Sequence, residues 1–254
     1  MMRRSRKRRS RVNILPSLLT IGNMYMGLLS IVYTINGQFE IAGWLILVAL
    51  LFDGSDGHIA RLTKSASNFG KELDSLADVV TFGVAPAVLV YRSVLHNYQH
   101  IGAFIVTVYA ITGALRLARY NIQSGSVVKS FTGLPIPGAG CLVAAIVLMK
   151  MKYETPLIEA YLPPFMAALM IALAFLMVSR IIYPKQEIFL VHRHRALQYT
   201  FILILIFSLV RLKPTLFVFV IFFSYALVGP LNYLARNRLF GGKLQLDQEE
   251  ANAQ

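Results

Sequence analysis

Four of the five aspartates in this 254-residue chain, Asp53, Asp56, Asp74 and Asp78, fall within 26 residues of one another. Asp53, Asp56, Gly57, Ala60 and Arg61 recur at i, i+3, i+4, i+7 and i+8, one stripe of a helix. Gly70, Asp74 and Asp78 recur at i, i+4 and i+8, one stripe of the next. Two such helices facing each other direct four carboxylates into one gap. Two carboxylates about 6 Å apart repel by roughly 3 kcal/mol at an effective dielectric of 20, so a cation has to share that space. Oxygen ligands with no histidine or thiolate among them suit Mg2+, Mn2+ or Ca2+ rather than zinc, and Mg2+ divides its coordination between carboxylates and substrate phosphates. Four carboxylates are enough for a pair of ions. The small residues on the same stripes leave room for a phosphate-bearing ligand to approach backbone, and Arg61 can fork onto phosphate oxygens. Alone, each of these residues has a plain structural reading, a helix cap for an aspartate or close packing for a glycine. The two matched registers are what point to chemistry.

The elements that carry them must lie in lipid. The chain is 56% hydrophobic and 15% charged, with mean hydropathy +0.60, which excludes an ordinary soluble domain. Its 25 Lys plus Arg against 12 Asp plus Glu give a net charge of +13, an excess that suits loops meeting anionic headgroups. The basic start, MMRRSRKRRSR, leads directly into an apolar run, which favours the membrane surface over nucleic acid. No small-residue cleavage pattern follows, and Gly22, Asn23 and Gly27 interrupt the run, so it is expected to be a retained first span. A single cysteine, Cys141, excludes an intrachain disulfide.

Runs long enough to span are expected at 14–36, 39–61, 74–95, 101–121, 134–150, 164–183, 196–211 and 214–234. The expected fold is therefore all-α, a polytopic transmembrane helix bundle of about eight spans. Residues 1–13 form a basic segment, 14–235 the membrane domain and 236–254 a polar tail. An even count leaves both termini on one side. Twenty Lys and Arg fall on that side, against Arg92, Lys150, Lys152, Arg211 and Lys213 on the other, which makes the termini cytoplasmic. The aspartates then straddle the cytoplasmic end of the second span and the start of the third.

The pattern D-x2-D-G-x2-A-R-x8-G-x3-D-x3-D is met here at every fixed position, and on it the chain resembles the CDP-alcohol phosphotransferases. These are membrane enzymes that move a phosphoalcohol from a cytidine diphosphate donor to an acceptor hydroxyl. Within that family, LPSLLTIGN at 15–23, NFGKELDSLADVVTFGVAPA at 68–87, LRLARYN at 115–121 and FTGLPIPGAG at 131–140 are similar to the phosphatidylserine synthases. The resemblance spans most of residues 12–140. It implies transfer of a phosphatidyl group from CDP-diacylglycerol to L-serine with release of CMP, at the cytoplasmic face of the cell membrane. It implies two divalent cations, Mg2+ or Mn2+, held by Asp53, Asp56, Asp74 and Asp78, with Asp78 as candidate general base. It implies that Gly57, Ala60, Arg61 and Gly70 line the nucleotide, and that the protein is a homodimer.

Outside the signature, Thr20 and Asn23 share a face of the first span and are expected either to contact the donor lipid or to bond between helices. Arg116 and Arg119, at i and i+3, are expected to hold the serine carboxylate or a lipid phosphate, or simply to anchor the helix end. Lys129 is expected at the entrance to the site. His192 and His194 alternate with arginines in HRHR and read as a headgroup-facing patch rather than a metal site. Two rival readings stand beside this one. Another member of the same family would make phosphatidylglycerophosphate, phosphatidylinositol phosphate or an archaeal serine lipid. A cation-coupled transporter would spread acids through the bilayer depth, whereas these gather at one edge beside an arginine.

Overall fold

The computed structural model describes residues 14–62, 68–123, 131–153, 155–183 and 214–231. Among them the chain is helical apart from one two-residue antiparallel pair, Phe131 opposite Tyr183 and Thr132 opposite Ile182. Helices α1 (Ile14–Ile35) and α2 (Phe39–Leu62) are joined by a tight turn in which Gly37 takes φ 76°, and so short a link makes them antiparallel neighbours. Next, α3 (Asn68–Asp78), a π turn (Val79–Val84), α4 (Ala85–Val90) and a second π turn (Tyr91–Leu95) stack end to end as one rod. The chain reverses at Gln99, whose φ is 42°, and α5 (Gln99–Gln123) runs back along the rod. Helices α6 (Ile136–Lys152), α7 (Pro156–Val178) and α8 (Pro214–Leu231) complete the described set.

Among the described residues, four helical stretches are long and apolar enough to cross a membrane: Pro16–Ile35, Phe69–Ile122 (the rod and α5 together), Pro156–Val178 and Pro214–Leu231. Their outward faces carry large apolar side chains such as Leu18, Phe104, Ile122 and Phe175, the surface of a protein whose surroundings are hydrocarbon. Helix α6 differs. It is apolar on every side and buried over nearly its whole length, from Ile136 to Leu148, as befits the centre of a bundle. It lies against α2, α4 and the first π turn, and Gly138 meets the Tyr225 ring of α8.

Small residues set how closely the helices approach. A Cβ on Gly140 would lie 2.7 Å from the Phe82 carbonyl oxygen and 2.9 Å from its Cα. A Cβ on Gly27 would lie 2.7 Å from the Thr81 Cα. Both contacts fall on the π turn, where one extra residue per turn disturbs the regular hydrogen-bond ladder. The buried Tyr109 hydroxyl of α5 donates to the Phe82 carbonyl at 3.0 Å, and the Thr81 hydroxyl donates to the Asn23 carbonyl at 3.0 Å.

The expected boundaries shift at two places. The rod begins at Asn68, because the amphipathic stretch before Asp74 continues the helix out of the apolar region. Helix α7 begins at Pro156 rather than 164: the Thr155 hydroxyl caps it by accepting from the Ile158 amide at 3.3 Å, Pro156 suits the first turn, and Pro163 and Pro164 lie inside the helix. Cys141 is a free, buried thiol. The expected span at 196–211, the HRHR segment and both tails lie outside the described residues.

Close approach at the π turn can be measured. Gly27→Ala and Gly140→Ala should each lower the apparent midpoint of thermal unfolding in detergent, by overpacking of about 1–3 kcal/mol. Gly54→Ala, whose new methyl meets nothing within 4 Å, should leave it unchanged or raise it, since Gly in a helix interior costs about 1 kcal/mol relative to Ala.

Candidate active site

The last three turns of α2 carry Asp53 and Asp56, and α3 carries Asp74 and Asp78. Carboxylate oxygens of Asp53, Asp56 and Asp74 lie within 4.8 Å of one another. At that spacing, roughly 3.5 kcal/mol of repulsion per pair is expected at an effective dielectric of 20. Asp78, one turn beyond Asp74, is buried and faces Asp53 at close range. The four acids expected in one gap thus resolve into three that converge and a fourth that adjoins them.

Helix α1 braces this group with neutral donors. The Thr20 hydroxyl donates to Asp56 Oδ2 at 2.7 Å, and Asn23 Nδ2 donates to Asp78 Oδ1 at 3.3 Å. Thr20 and Asn23 are themselves buried, so these bonds run in a medium where they orient strongly. One oxygen of Asp74, Oδ1, is buried with no hydrogen-bond partner among the described residues. An orphaned carboxylate oxygen beside two further carboxylates fits a hard divalent cation.

Around the acids, Gly57 is exposed, and a Cβ there would meet nothing within 4 Å, so the backbone beside Asp56 is open to a ligand. Gly70 lies on the first turn of α3. Ala60 and Arg61 lie on the last turn of α2, with side chains outside the described set, and Lys129 is outside the described residues. Arg116 and Arg119 part company. Arg119 gives its guanidinium to the end of α7, donating from Nη1 to the Val178 carbonyl at 2.8 Å and from Nη2 to that of Ser179 at 3.2 Å. Arg116 is buried, holds its guanidinium carbon over the Tyr120 ring 5.6 Å from the centre and interacts electrostatically with Asp78 and Tyr225.

Sequence reasoning missed three contributors. Thr81 ties the π turn to Asn23, and its only signal was a lone hydroxyl in an apolar run opposite Gly27. Asn121 donates from Nδ2 to Ser75 Oγ at 2.8 Å while Lys71 Nζ donates to the Asn121 carbonyl at 3.3 Å, locking the end of α5 to α3. Tyr225 reaches Arg116 from α8, which nothing in the signature foretold.

Residues 13–179 match the family model described as CDP-alcohol phosphatidyltransferase. A CDP-diacylglycerol–serine O-phosphatidyltransferase of Helicobacter pylori is 39% identical over 223 residues, 87% of this chain and 91% of that one. The enzyme of the same name from Bacillus subtilis is 38% identical over 174 residues, 68% of this chain and 91% of that one. An archaetidylserine synthase of Methanothermobacter thermautotrophicus is 39% identical over 175 residues, 68% of this chain and 70% of that one. The matched residues contain all four aspartates and the α1 donors that hold two of them, so the chain belongs to the CDP-alcohol phosphatidyltransferase family.

Proposed function

We propose that the protein transfers the phosphatidyl group of CDP-diacylglycerol to the hydroxyl of L-serine, releasing CMP. The observation that carries this reading is the convergence of Asp53, Asp56 and Asp74 within 4.8 Å, next to Asp78, in a chain 39% identical to an enzyme named for that reaction. Asp53, Asp56, Asp74 and Asp78 would hold two divalent cations, Mg2+ or Mn2+. Bound there, such ions neutralise a diphosphate and the charge that develops on departing CMP.

The chain's own residues then have separable tasks. Gly57, with Ala60, Arg61 and Gly70, lines the nucleotide. Asp78 takes the serine hydroxyl proton as the serine oxygen bonds to the phosphatidyl phosphorus and the bond to the CMP oxygen breaks, CMP leaving with the bonding pair. The hydrogen bond from Asn23 fixes one oxygen of that carboxylate and so its orientation. Thr20 does the same for Asp56. Through these bonds the two α1 residues act on the acids, and contact with the donor lipid is a separate role proposed for them. Lys129 is proposed at the entrance.

The orientation proposed is eight spans with cytoplasmic termini and the site facing the cytoplasm, as a homodimer in the cell membrane. Supporting it, Lys150 donates to the Ser93 carbonyl at 2.5 Å, which gathers Arg92, Lys150 and Lys152 at the end of the bundle remote from the aspartates. Those are three of the five cations assigned to the outer side. The archaetidylserine synthase relative favours a second reading, in which the group transferred is archaetidyl; its coverage of 68% against 87% ranks it behind the first.

Purified protein given CDP-diacylglycerol and Mg2+ or Mn2+ should release CMP with L-serine and not with glycerol 3-phosphate or inositol phosphate. CMP release with one of those alcohols instead would reassign the acceptor, and greater activity with CDP-archaeol would select the second reading. Asp53→Asn, Asp56→Asn and Asp74→Asn should each reduce metal-dependent turnover by at least about 100-fold, the scale of losing one preorganised charge stabiliser. Mn2+ at about 100 times its dissociation constant should stabilise the wild type by about 2.7 kcal/mol against thermal unfolding, and Asp74→Asn should lose most of that gain. Chelation should reverse it.

A further inference from the structure

Two buried polar atoms beside Asp78 are left without partners, and they are of opposite kinds. Arg116 Nε is a donor and Asn23 Oδ1 is an acceptor, and neither has a hydrogen-bond partner among the described residues. The identity of the Asn23 atoms follows from their surroundings, because Nδ2 must face the Asp78 carboxylate to which it donates, which turns Oδ1 away as an acceptor. Arg116 is 5% exposed and Asn23 wholly buried, so water is a poor substitute for the missing partners. Of the four acids, Asp78 is the one with which Arg116 interacts.

A free α-amino acid is a zwitterion. It needs a donor for its carboxylate and an acceptor for its ammonium, and in serine both groups sit on the carbon next to the hydroxymethyl. We propose that Arg116 and Asn23 are the two poles of the acceptor site: the Arg116 guanidinium takes the α-carboxylate and Asn23 Oδ1 takes the α-ammonium. This rests on the reading that serine is the acceptor and Asp78 receives its hydroxyl proton. Under that reading the hydroxyl points at Asp78 while its two charged neighbours face the two orphaned atoms.

The surroundings of Arg116 suit the task. Its guanidinium lies over the Tyr120 ring, a cation–π arrangement, and Tyr225 approaches from α8. The residues that match the family model end at 179, so Tyr225 comes from a helix outside the matched region. An acceptor pocket completed from outside the shared part of the fold is a means for one family to serve different acceptors. Arg119, three residues on, is committed to the carbonyls that end α7 and is not available to a ligand.

Steady-state kinetics of the full chain in mixed micelles test this, comparing wild type, Arg116→Gln and Arg116→Lys, with direct binding of CDP-diacylglycerol measured alongside as the check on folding. Arg116→Gln should raise KM for L-serine about 10- to 100-fold, the scale of a lost charge-assisted hydrogen bond, and Arg116→Lys should raise it less. KM and binding of CDP-diacylglycerol should stay within about twofold in both. Preference for L-serine over ethanolamine, which lacks the carboxylate, should collapse in Arg116→Gln, while preference over 3-hydroxypropionate, which lacks the ammonium, should persist. A merely structural role would not separate the two analogues. An unchanged serine KM in Arg116→Gln, or an effect carried by CDP-diacylglycerol instead, overturns the proposal, the latter by assigning the guanidinium to the lipid phosphate. A wild type that releases CMP only with another alcohol removes the underlying reading itself, so the two failures are distinct.

Discussion

Charge crowded at one end of an apolar bundle is the constraint from which the rest of the architecture follows. Three carboxylates within 4.8 Å, with a fourth against them, are held together by a covalent frame and hydrogen bonds while their charges push them apart. The donors that hold them are neutral. A lysine or arginine in place of Thr20 or Asn23 would have formed an ion pair and removed the very charge that a divalent cation requires, whereas a hydroxyl and an amide orient a carboxylate and leave it anionic. Neutral bracing thus leaves the group anionic, which suits the divalent cations proposed there.

That bracing in turn demands an unusually close approach of α1 to the rod. Asn23 reaches Asp78 only because Gly27, one turn on, lets the α1 backbone lie against Thr81, and Thr81 answers by donating to the Asn23 carbonyl. The π turn makes the same segment serve two neighbours. By inserting a residue between Asp78 and Ala85 it offsets the faces of α3 and α4, so that α3 can direct its acids to α1 and α2 while α4 packs between α1 and α6. The hydrogen-bond ladder disturbed there is repaired from outside, by the Tyr109 hydroxyl on the Phe82 carbonyl. Glycine at 140 keeps α6 close enough to close the core behind it.

Much of this was legible from residue spacing. Two acidic stripes at helical period on consecutive segments require their helices to face, and the bounds of α1 and α2 follow from apolar length and the Asn36–Gly37 turn. What spacing could not convey was everything set by tertiary approach. The π turns have no local signature in VVTFGV, since the extra residue is selected by what Thr81 and Phe82 meet on α1, α5 and α6. The start of α7 was hidden because two prolines read as a boundary, although a membrane helix tolerates them internally and the actual cap is a threonine further upstream. Asp78 and Asp74 look equivalent at i and i+4, yet only Asp74 joins the convergent three, while Asp78 lies against Asn23 of α1 and Asp53.

Arg116 and Arg119 make the same point at higher resolution. On one helix, three residues apart and at the same end, they are interchangeable to any reading of charge or periodicity. The difference lies in their neighbours. Arg119 meets a helix that has just ended, whose last carbonyls need donors, and beside it Gly133 takes φ 79° where a side chain would collide with the Met177 carbonyl. The charge of Arg119 is consumed in closing the seam between α5, α7 and the start of α6. Arg116 instead meets the Tyr120 and Tyr225 side chains and interacts with one acid, Asp78. On the proposed reading, donor chemistry and acceptor chemistry are built from different material. In that reading the donor side rests on α2 and α3, which carry the four acids, and the acceptor side on α1, α5 and α8.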